Sequence, residues 1–316
     1  MTITNQEGGD LKILSEYIDS QCMRMEIKQG YFDYPALGSS LLADFAECPA
    51  KALLQRTPTP AMEFGHIFEW LAQETFTQKP CGFFDKYFIC DAVGTIPEKL
   101  VLALTNNQPL EELYVLTQKG ARSETYKNLH FWLDECQNSP GKWPISQTEF
   151  KTASDMVDHL GNASAFQGVP VKSLLYDADW QVEHFWERGG VKKKCKFDAV
   201  ATLDDESLAI VDLKSLASIN KFWADYRARY WLQDRHYSEG AADKYGGDAF
   251  YQDAMIFAVV SKEEPYIGQC FEMSHQFWPA QTEAYLKICN RYQNWVDSGM
   301  PATAWRDKQI MENWRG

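Results

Sequence analysis

The chain has 316 residues, of which 45% are hydrophobic and 14% aromatic, so it is long enough for one or two domains with a large core. Its formal net charge of −13 disfavours a nucleic-acid partner unless a local basic lining offsets it. No apolar run reaches membrane-spanning length, no secretory signal is visible, and the eight cysteines include no close Cys-x-x-Cys pair. We therefore expect a cytoplasmic protein with reduced thiols and no membrane contact.

The N-terminal third is predicted to be a leader followed by two helices. Residues 1–38 are mostly polar, with one modest amphipathic segment over Leu11–Met25. Ser39 and Ser40 are N-cap residue types, which predicts a first helix from Leu41 to about Gln55.

The second helix is predicted over Met62–Phe76 and carries the first candidate site residues. Gly65, Glu69 and Gln73 are four residues apart and share one face, and His66 lies next to that face.

The middle of the chain is predicted to be a largely helical insertion within one domain. Helical patterns cover Ser123–Cys136 and Thr148–Leu160, and no internal repeat is evident. The predicted division is a leader at 1–38 and a single domain at 39–316, with an insertion at about 80–176, a core at about 177–273 and a C-terminal helix at about 281–296.

Two strands after this insertion form the predicted centre of the fold. In the first strand, alternation places Lys194, Lys196 and Asp198 on one face. In the second, Asp212 and Lys214 share one face. The acidic cluster at 204–206 between them is typical of a turn, so the two strands are predicted to pair as an antiparallel hairpin.

The pairing of this hairpin brings two carboxylates together. A turn centred on residue 205 places Ala199 opposite Val211 and Asp198 opposite Asp212. Directly opposed side chains lie about 5 Å apart. Like charges at that range repel unless a cation intervenes, and carboxylate oxygens suit Mg²⁺ or Mn²⁺. With Lys196 and Lys214 alongside, the pattern indicates metal-assisted hydrolysis of a phosphodiester.

The remaining elements complete a mixed sheet. A strand at Trp180–Arg188 precedes the hairpin, and a long helix follows it at about Asn220–Tyr245. Two further strands, Met255–Val260 and Tyr266–Met273, and a closing helix at Gln281–Val296 complete the order. This order is typical of an α/β or α+β core with the acidic residues on its central strands.

The ordered set of motifs resembles the PD-(D/E)xK nuclease superfamily, and within it the exodeoxyribonuclease VIII (RecE) type, which is related to lambda exonuclease. The resemblance rests on SSLLADFAECPAK, MEFGHIFEWL, CKFDAV, IVDLKS and QDRHY and spans roughly Ser39 to Tyr237. It implies a restriction-endonuclease-like core, with a central mixed β-sheet flanked by helices.

Carried over by motif, the resemblance implies a metal site and a catalytic lysine. Asp198, Asp212, Glu69 and the backbone carbonyl of Leu213 would bind one or two Mg²⁺ or Mn²⁺ ions. Lys214 would orient or deprotonate water and stabilise charge on the phosphate. Many relatives have a histidine where this chain has Glu69, so His66 is kept as an alternative ligand.

Further residues are candidates for contact with DNA. Gln233 and Tyr237 match the family's Gln-x-x-x-Tyr motif, although such a pair also occurs on ordinary helix surfaces. Lys194 and Lys196 are either DNA-facing or a solvated strand edge. The two other candidates are Ser40, for DNA binding, and Glu183, either as an assisting acid or as an ordinary salt-bridged residue.

The resemblance implies an Mg²⁺-dependent exonuclease that degrades double-stranded DNA from its ends with 5′-to-3′ polarity. The expected setting is recombination or repair of phage or prophage type, with a ring-shaped homotrimer or homotetramer and a single-strand annealing protein as partner. Two alternatives stay open. One is a restriction- or repair-type endonuclease on the same core, and the other is a non-catalytic DNA-binding or assembly subunit that retains the fold.

Overall fold

The structure is a computed structural model that describes residues 31, 34–54, 59–90, 96–118, 124–165, 168–203, 206–246, 250–272 and 277–302. The predicted amphipathic segment Leu11–Met25 lies outside these residues, as do turn residues 204–205 and the end of the predicted last strand, Met273. In the described part of the chain, no helix is both long and apolar enough to cross a membrane.

The helices are α1 Ser39–Glu47, α2 Pro49–Ala52, α3 Pro60–Thr77, α4 Phe83–Lys86, α5 Glu98–Thr105, α6 Leu110–Gln118, α7 Glu124–Asn138, α8 Gln147–Gly161, α9 Val171–Leu174, α10 Phe222–Asp225, α11 Trp231–Tyr245 and α12 Trp278–Asp297. The strands are β1 Tyr87–Cys90, β2 Trp143–Ser146, β3 Asp179–Arg188, β4 Val191–Thr202, β5 Leu208–Leu216, β6 Phe250–Ser261 and β7 Gly268–Phe271. A 3₁₀ turn at Ile219–Lys221 and a π-helical turn at Tyr226–Tyr230 flank α10.

A five-stranded mixed sheet in the order β3-β4-β5-β6-β7 forms the centre of the fold. β5 and β6 pair in parallel, and the other neighbours pair antiparallel. Helix α11 packs on β3, β4 and β6, while α8 packs on β6 and β7. The predicted central mixed sheet flanked by helices is therefore confirmed.

Burial along the strands follows from their position in the sheet. In β4, Lys193, Cys195 and Phe197 are buried, and the residues between them are less buried. In β6, by contrast, Met255 to Val260 are all buried, because helices cover both faces of this strand.

The residues before α1 add a short bridge to the sheet. The Leu37 N–H donates to the Lys192 carbonyl at 2.9 Å, and the Lys194 N–H donates to the Leu37 carbonyl at 3.0 Å. Leu37 is itself buried. The last residue but one of the predicted leader therefore covers part of the edge of β4.

A second, smaller hydrophobic core lies within the predicted insertion. It gathers residues of α5, α6 and α7, centred on the fully buried Trp132 and Leu133. The short parallel strands β1 and β2 pair beside it, with Tyr87 opposite Trp143. The described residues of the insertion are largely helical, with these two strands among them; the predicted domain limits stay a prediction.

Several predicted boundaries change in detail. The first helix begins at Ser39 after an extended Gly38 that provides no side-chain cap, so the prediction that Ser39 and Ser40 are N-caps is wrong. Helix α3 begins two residues early, because Thr59 accepts from the Met62 N–H and Pro60 suits the first helical turn. The long helix predicted at Asn220–Tyr245 is divided into 3₁₀, α, π and α segments.

Candidate active site

The site lies where β4 and β5 separate. The ladder between them pairs Ala199 with Val211, as predicted, and extends from there towards the turn. Asp198 and Asp212 are each one residue beyond its end, so they flank an opening between the strands. On this edge of β4, the described residues provide no strand partner between the ladder and the Leu37 bridge at Lys193.

Asp198 closes part of this opening with its side chain. Its Oδ2 accepts a hydrogen bond from the Leu213 N–H at 2.8 Å, which replaces a strand-to-strand bond. The N–H and C=O of one strand residue point to the same side. The Leu213 carbonyl, the predicted backbone ligand, therefore also faces the opening.

Asp212 is held by two neighbours at the same point. Its side chain is only 1% exposed, since it lies between β4 and α11. Gln233 Nε2, on the first turn of α11, donates to Asp212 Oδ1 at 2.6 Å. The Lys214 ammonium forms an ion pair with Asp212 Oδ2. Three predicted site residues from two elements are thus in direct contact.

Tyr230 is a site residue that the sequence did not identify. The Lys214 Nζ lies 5.4 Å from the centre of its ring, within the range of a cation–π contact. Tyr230 ends the π-helical turn, and such turns occur often at functional sites. The sequence pattern indicated only packing for the aromatic residues of this helix, because a π turn leaves no recognised signal.

The electrostatics show a group of acids held out of water. Burial, together with the charges of Asp212 and Glu69, raises the pKa of Asp198 well above its usual value. Burial raises the pKa of Glu69 to about 7, with Lys214 opposing and Asp212 adding to this shift. Burial would lower the pKa of Lys214, but Asp212 and Asp198 outweigh it and the pKa rises.

The donor set suits a hard cation, although its side chains do not form a closed ligand set. The predicted donors are carboxylate oxygens of Asp198, Asp212 and Glu69 and the Leu213 carbonyl, which are the ligand types of Mg²⁺. As the side chains lie, no group of three or more His, Cys, Asp or Glu in the described part of the chain is close enough to hold a metal ion. Lys214 and Gln233 occupy Asp212, so a cation would compete with Lys214 for this carboxylate.

The other predicted site residues differ in how exposed they are and in which residues they contact. His66 and Ser40 are exposed on α3 and α1. Lys196 forms an ion pair with Glu183, its partner across β3 and β4, at 3.6 Å. Tyr237 is buried, with its ring edge-on to Phe197, so its ring does not stand at the surface.

The Lys194 ammonium forms hydrogen bonds with the chain segment that precedes α1. Its Nζ donates to the carbonyls of Tyr31 at 2.8 Å and Tyr34 at 2.7 Å, and lies 5.0 Å from the ring centre of Tyr31. At least two of its three hydrogens therefore hold the chain rather than a ligand.

Sequence reasoning also missed a buried polar network behind β4. Lys193, only 1% exposed, donates to Glu239 at 2.5 Å and to the Tyr285 hydroxyl at 3.1 Å. His236 joins it, with Nδ1 at 3.1 Å from the same hydroxyl. The partners lie 46 and 92 residues from Lys193, so no local pattern predicts the network.

Comparison with known proteins gives a family and distantly similar solved structures. The family model described as a PDDEXK-like domain of unknown function (DUF3799) matches residues 38–302. The curated proteins include no match to this chain. Among solved structures, a provisionally assigned exonuclease from Eubacterium rectale is similar with a TM-score of 0.45 and 11% identity, covering 95% of this chain and 87% of its own. A likeness this distant supports no residue-by-residue comparison.

Proposed function

The chain belongs to the PDDEXK-like family, and from this premise we propose that it is a divalent-cation-dependent deoxyribonuclease of the RecE and lambda-exonuclease type. The observation that carries the proposal is the pair Asp198 and Asp212 at the open end of the β4–β5 ladder, with Lys214 bonded to Asp212. This arrangement combines hard oxygen donors with a fixed positive charge, which is what hydrolysis of a phosphodiester requires.

Each residue then has a distinct task. Asp198, Asp212, Glu69 and the Leu213 carbonyl would hold the cation, which when bound supplies Lewis-acid stabilisation and a water of lowered pKa. Gln233 fixes the orientation of Asp212 through its 2.6 Å hydrogen bond. Lys214 provides an ammonium that can hold the attacking water or a phosphate oxygen, because its compact charge has three donor hydrogens.

The substrate we propose is double-stranded DNA attacked from an end, with 5′-to-3′ polarity, in recombination or repair of phage or prophage type. This part of the proposal rests on the resemblance of the five motifs. The ring-shaped homotrimer or homotetramer and the annealing-protein partner belong to the same proposal. A ring would place basic side chains around DNA and leave the acidic exterior outside.

End-labelled linear duplex and closed circular duplex of the same sequence test this function. With Mg²⁺, we expect the linear DNA to be shortened from its 5′ ends and the circle to stay intact, and EDTA should stop the reaction. Cleavage of the circle would identify an endonuclease instead. Absence of any cleavage with Mg²⁺ or Mn²⁺, with DNA still bound, would identify a non-catalytic DNA-binding subunit and contradict the proposal.

A further inference from the structure

We propose that Lys86 and Lys262 bind two backbone phosphates of the substrate strand, one on each side of the acid site. The inference rests on the proposed function, since it takes DNA as the ligand. It gives the predicted insertion a role in the site, because Lys86 is the last residue of α4 and lies directly before β1, within that insertion.

Both lysines lie over aromatic rings along helix α3, which carries Glu69. The Lys86 Nζ is 5.2 Å from the ring centre of Trp70 and 5.2 Å from that of Tyr87. The Lys262 Nζ is 4.8 Å from the ring centre of Phe64. Phe64 and Trp70 are thus on either side of Glu69 in the sequence of the helix.

Neither ammonium forms an ion pair with a carboxylate in the described part of the chain. Within the described residues, no carboxylate lies within 4.0 Å of Lys86 or Lys262. This is unusual in a chain with a net charge of −13. Burial lowers the pKa of both lysines because each charge is held partly out of water, although the charges of Glu63 and Glu69 partly oppose this shift at Lys86. A bound anion would remove this cost.

By contrast, three neighbouring lysines form ion pairs with carboxylates of the protein. Lys193 is paired with Glu239, Lys196 with Glu183, and Lys214 with Asp212. These three ammonium groups therefore pair with the protein's own carboxylates, whereas those of Lys86 and Lys262 form no such pair with a described carboxylate.

A buried hydroxyl next to Lys86 also lacks a partner. Tyr87 is 0% exposed, and among the described residues its hydroxyl makes no hydrogen bond. Its environment includes the charges of Glu63 and Glu69, so it lies close to the same part of α3. Because this hydroxyl has no accessible surface, a ligand would reach it only if the side chains around it moved.

Phe64 and Trp70 are six residues apart, so the two rings are separated by about 9 Å along the axis of α3 and lie on different sides of this helix. The strand would then cross α3 between the two lysines, with the bond to be cleaved near Glu69.

The salt dependence of DNA binding tests the proposal without cleavage. Binding of a short fluorescein-labelled duplex in EDTA is measured by anisotropy from about 50 to about 200 mM salt. The variants are Lys86→Gln, Lys262→Gln and their combination, with Lys86→Met retaining the aliphatic stem over the rings. The control is Lys287→Gln, an exposed lysine that pairs with Glu283 on α12.

Each single variant should reduce the slope of log K against log [salt] by about 0.9, and the combination by about 1.8. Over this fourfold salt range, wild type should lose about 3.5-fold more affinity than each single variant, and Lys287→Gln should match wild type. Wild-type slopes for both single variants, or binding of RNA duplex but not of DNA, would overturn the proposal.

These outcomes are separate from those of the nuclease test. If wild type cleaves DNA and the lysine variants keep its salt slope, only the phosphate contacts are wrong. If wild type does not cleave but the lysine variants lose slope, the contacts stand and the nuclease proposal fails.

Discussion

At the scale of single residues, Asp212 is the centre of the site because three side chains depend on its position. Gln233 and Lys214 bond to it, and its charge acts on Glu69. Its carboxylate is buried, so the two bonds offset the cost of removing a charge from water. Loss of either charge of the Asp212–Lys214 pair leaves its partner buried and unpaired, which typically costs about 3–5 kcal/mol of stability, so cleavage is compared only between variants shown to be folded.

Asp212→Asn and Lys214→Gln test this point. Both keep the size of the side chain, and each removes one charge from the proposed site. We expect the rate of DNA cleavage to fall at least about a hundredfold in each, since a single electrostatic contact in an active site is typically worth about 10²–10³. Asp155→Asn, an exposed acid paired with Lys151, should cleave normally. Cleavage by both site variants at the wild-type rate would show that the chemistry lies elsewhere.

Glu69 gives a second prediction, on stability against pH. Its pKa is raised to about 7 in the folded chain, so the folded state binds more protons than the unfolded state between about pH 4.5 and 7. The contribution of Glu69 to the free energy of unfolding is therefore greatest below pH 4.5. It is lost as the pH rises through 7, by at most about 3 kcal/mol.

Urea unfolding in EDTA at several pH values measures this loss. Glu69→Gln should flatten the pH dependence of the free energy of unfolding above pH 4.5. When Mg²⁺ is present in place of EDTA, wild type should lose less stability, because a cation replaces the proton. An identical pH dependence in wild type and Glu69→Gln would contradict the placement of Glu69 in the acid group. Glu283→Gln, at an exposed ion pair, is the control.

The sequence was sufficient to predict that the candidate residues on β4 and β5 lie close together. Asp198, Asp212 and Lys214 follow from alternation and one turn, and Ala199 opposite Val211 confirms this register. Tyr230 and the Lys193–Glu239 pair do not follow, since they depend on a π turn and on contacts across the fold.

At the scale of elements, the length of β4 creates the opening. β4 spans Val191–Thr202, but β5 pairs only with its last residues, 199–202. The Leu37 bridge covers the edge near Lys193. The interval between the two contacts exposes backbone groups that the Asp198 side chain and a ligand can use. A strand fully paired along this edge would leave no such opening.

Helix α11 must lie very close to β4 for Gln233 to reach Asp212, and Gly240 permits this. A Cβ at Gly240 would lie 2.9 Å from Cys195 Sγ and 3.0 Å from the Trp186 ring. We expect Gly240→Ala to destabilise the fold by about 1–3 kcal/mol, although alanine favours a helix by about 1 kcal/mol.

Thermal or urea unfolding measures the effect. Ala242→Gly makes the reverse substitution at an exposed position of the same helix. It should lower the free energy of unfolding by about 1 kcal/mol. Cleavage by Gly240→Ala should also fall, since a displaced α11 moves Gln233. A stabilised and fully active Gly240→Ala would show that the close approach of α11 is not required.

Element positions were predictable where hydrophobic periodicity is strong, as in α3, α8 and α12. The helix predicted at Asn220–Tyr245 failed in detail, because periodicity does not distinguish 3₁₀ and π turns from α-helix. Ser39 was predicted to be an N-cap because serine favours that position. In the structure, the N-cap residue of α1 is instead Gly38, whose backbone is extended.

At the scale of the whole molecule, the buried network around His236 couples three elements. His236 is fully buried on α11, lies 2.9 Å through Nε2 from the Lys194 carbonyl of β4, and contacts Tyr285 of α12. Burial lowers its pKa to about 4, so the folded state holds it neutral. The contribution of the neutral histidine to the free energy of unfolding is then fully present above pH 6.5 and is lost as the pH falls through 4.

We predict an acid-induced loss of up to about 3 kcal/mol from this residue. Urea unfolding between pH 7 and pH 4 measures it, and His236→Gln should show a smaller loss over the same range. His159→Gln, at an exposed histidine of α8, is the control. Equal losses in wild type and His236→Gln would show that the histidine is not held neutral.

The central claim is that Asp198, Asp212 and Glu69 hold a divalent cation beside Lys214. A crystal of the protein soaked in Mn²⁺, with anomalous diffraction recorded, tests it most directly. We expect an anomalous peak in contact with Asp198 and Asp212, with Lys214 displaced from Asp212. A crystal without a peak there, in which Lys214 and Gln233 still occupy Asp212, would contradict it.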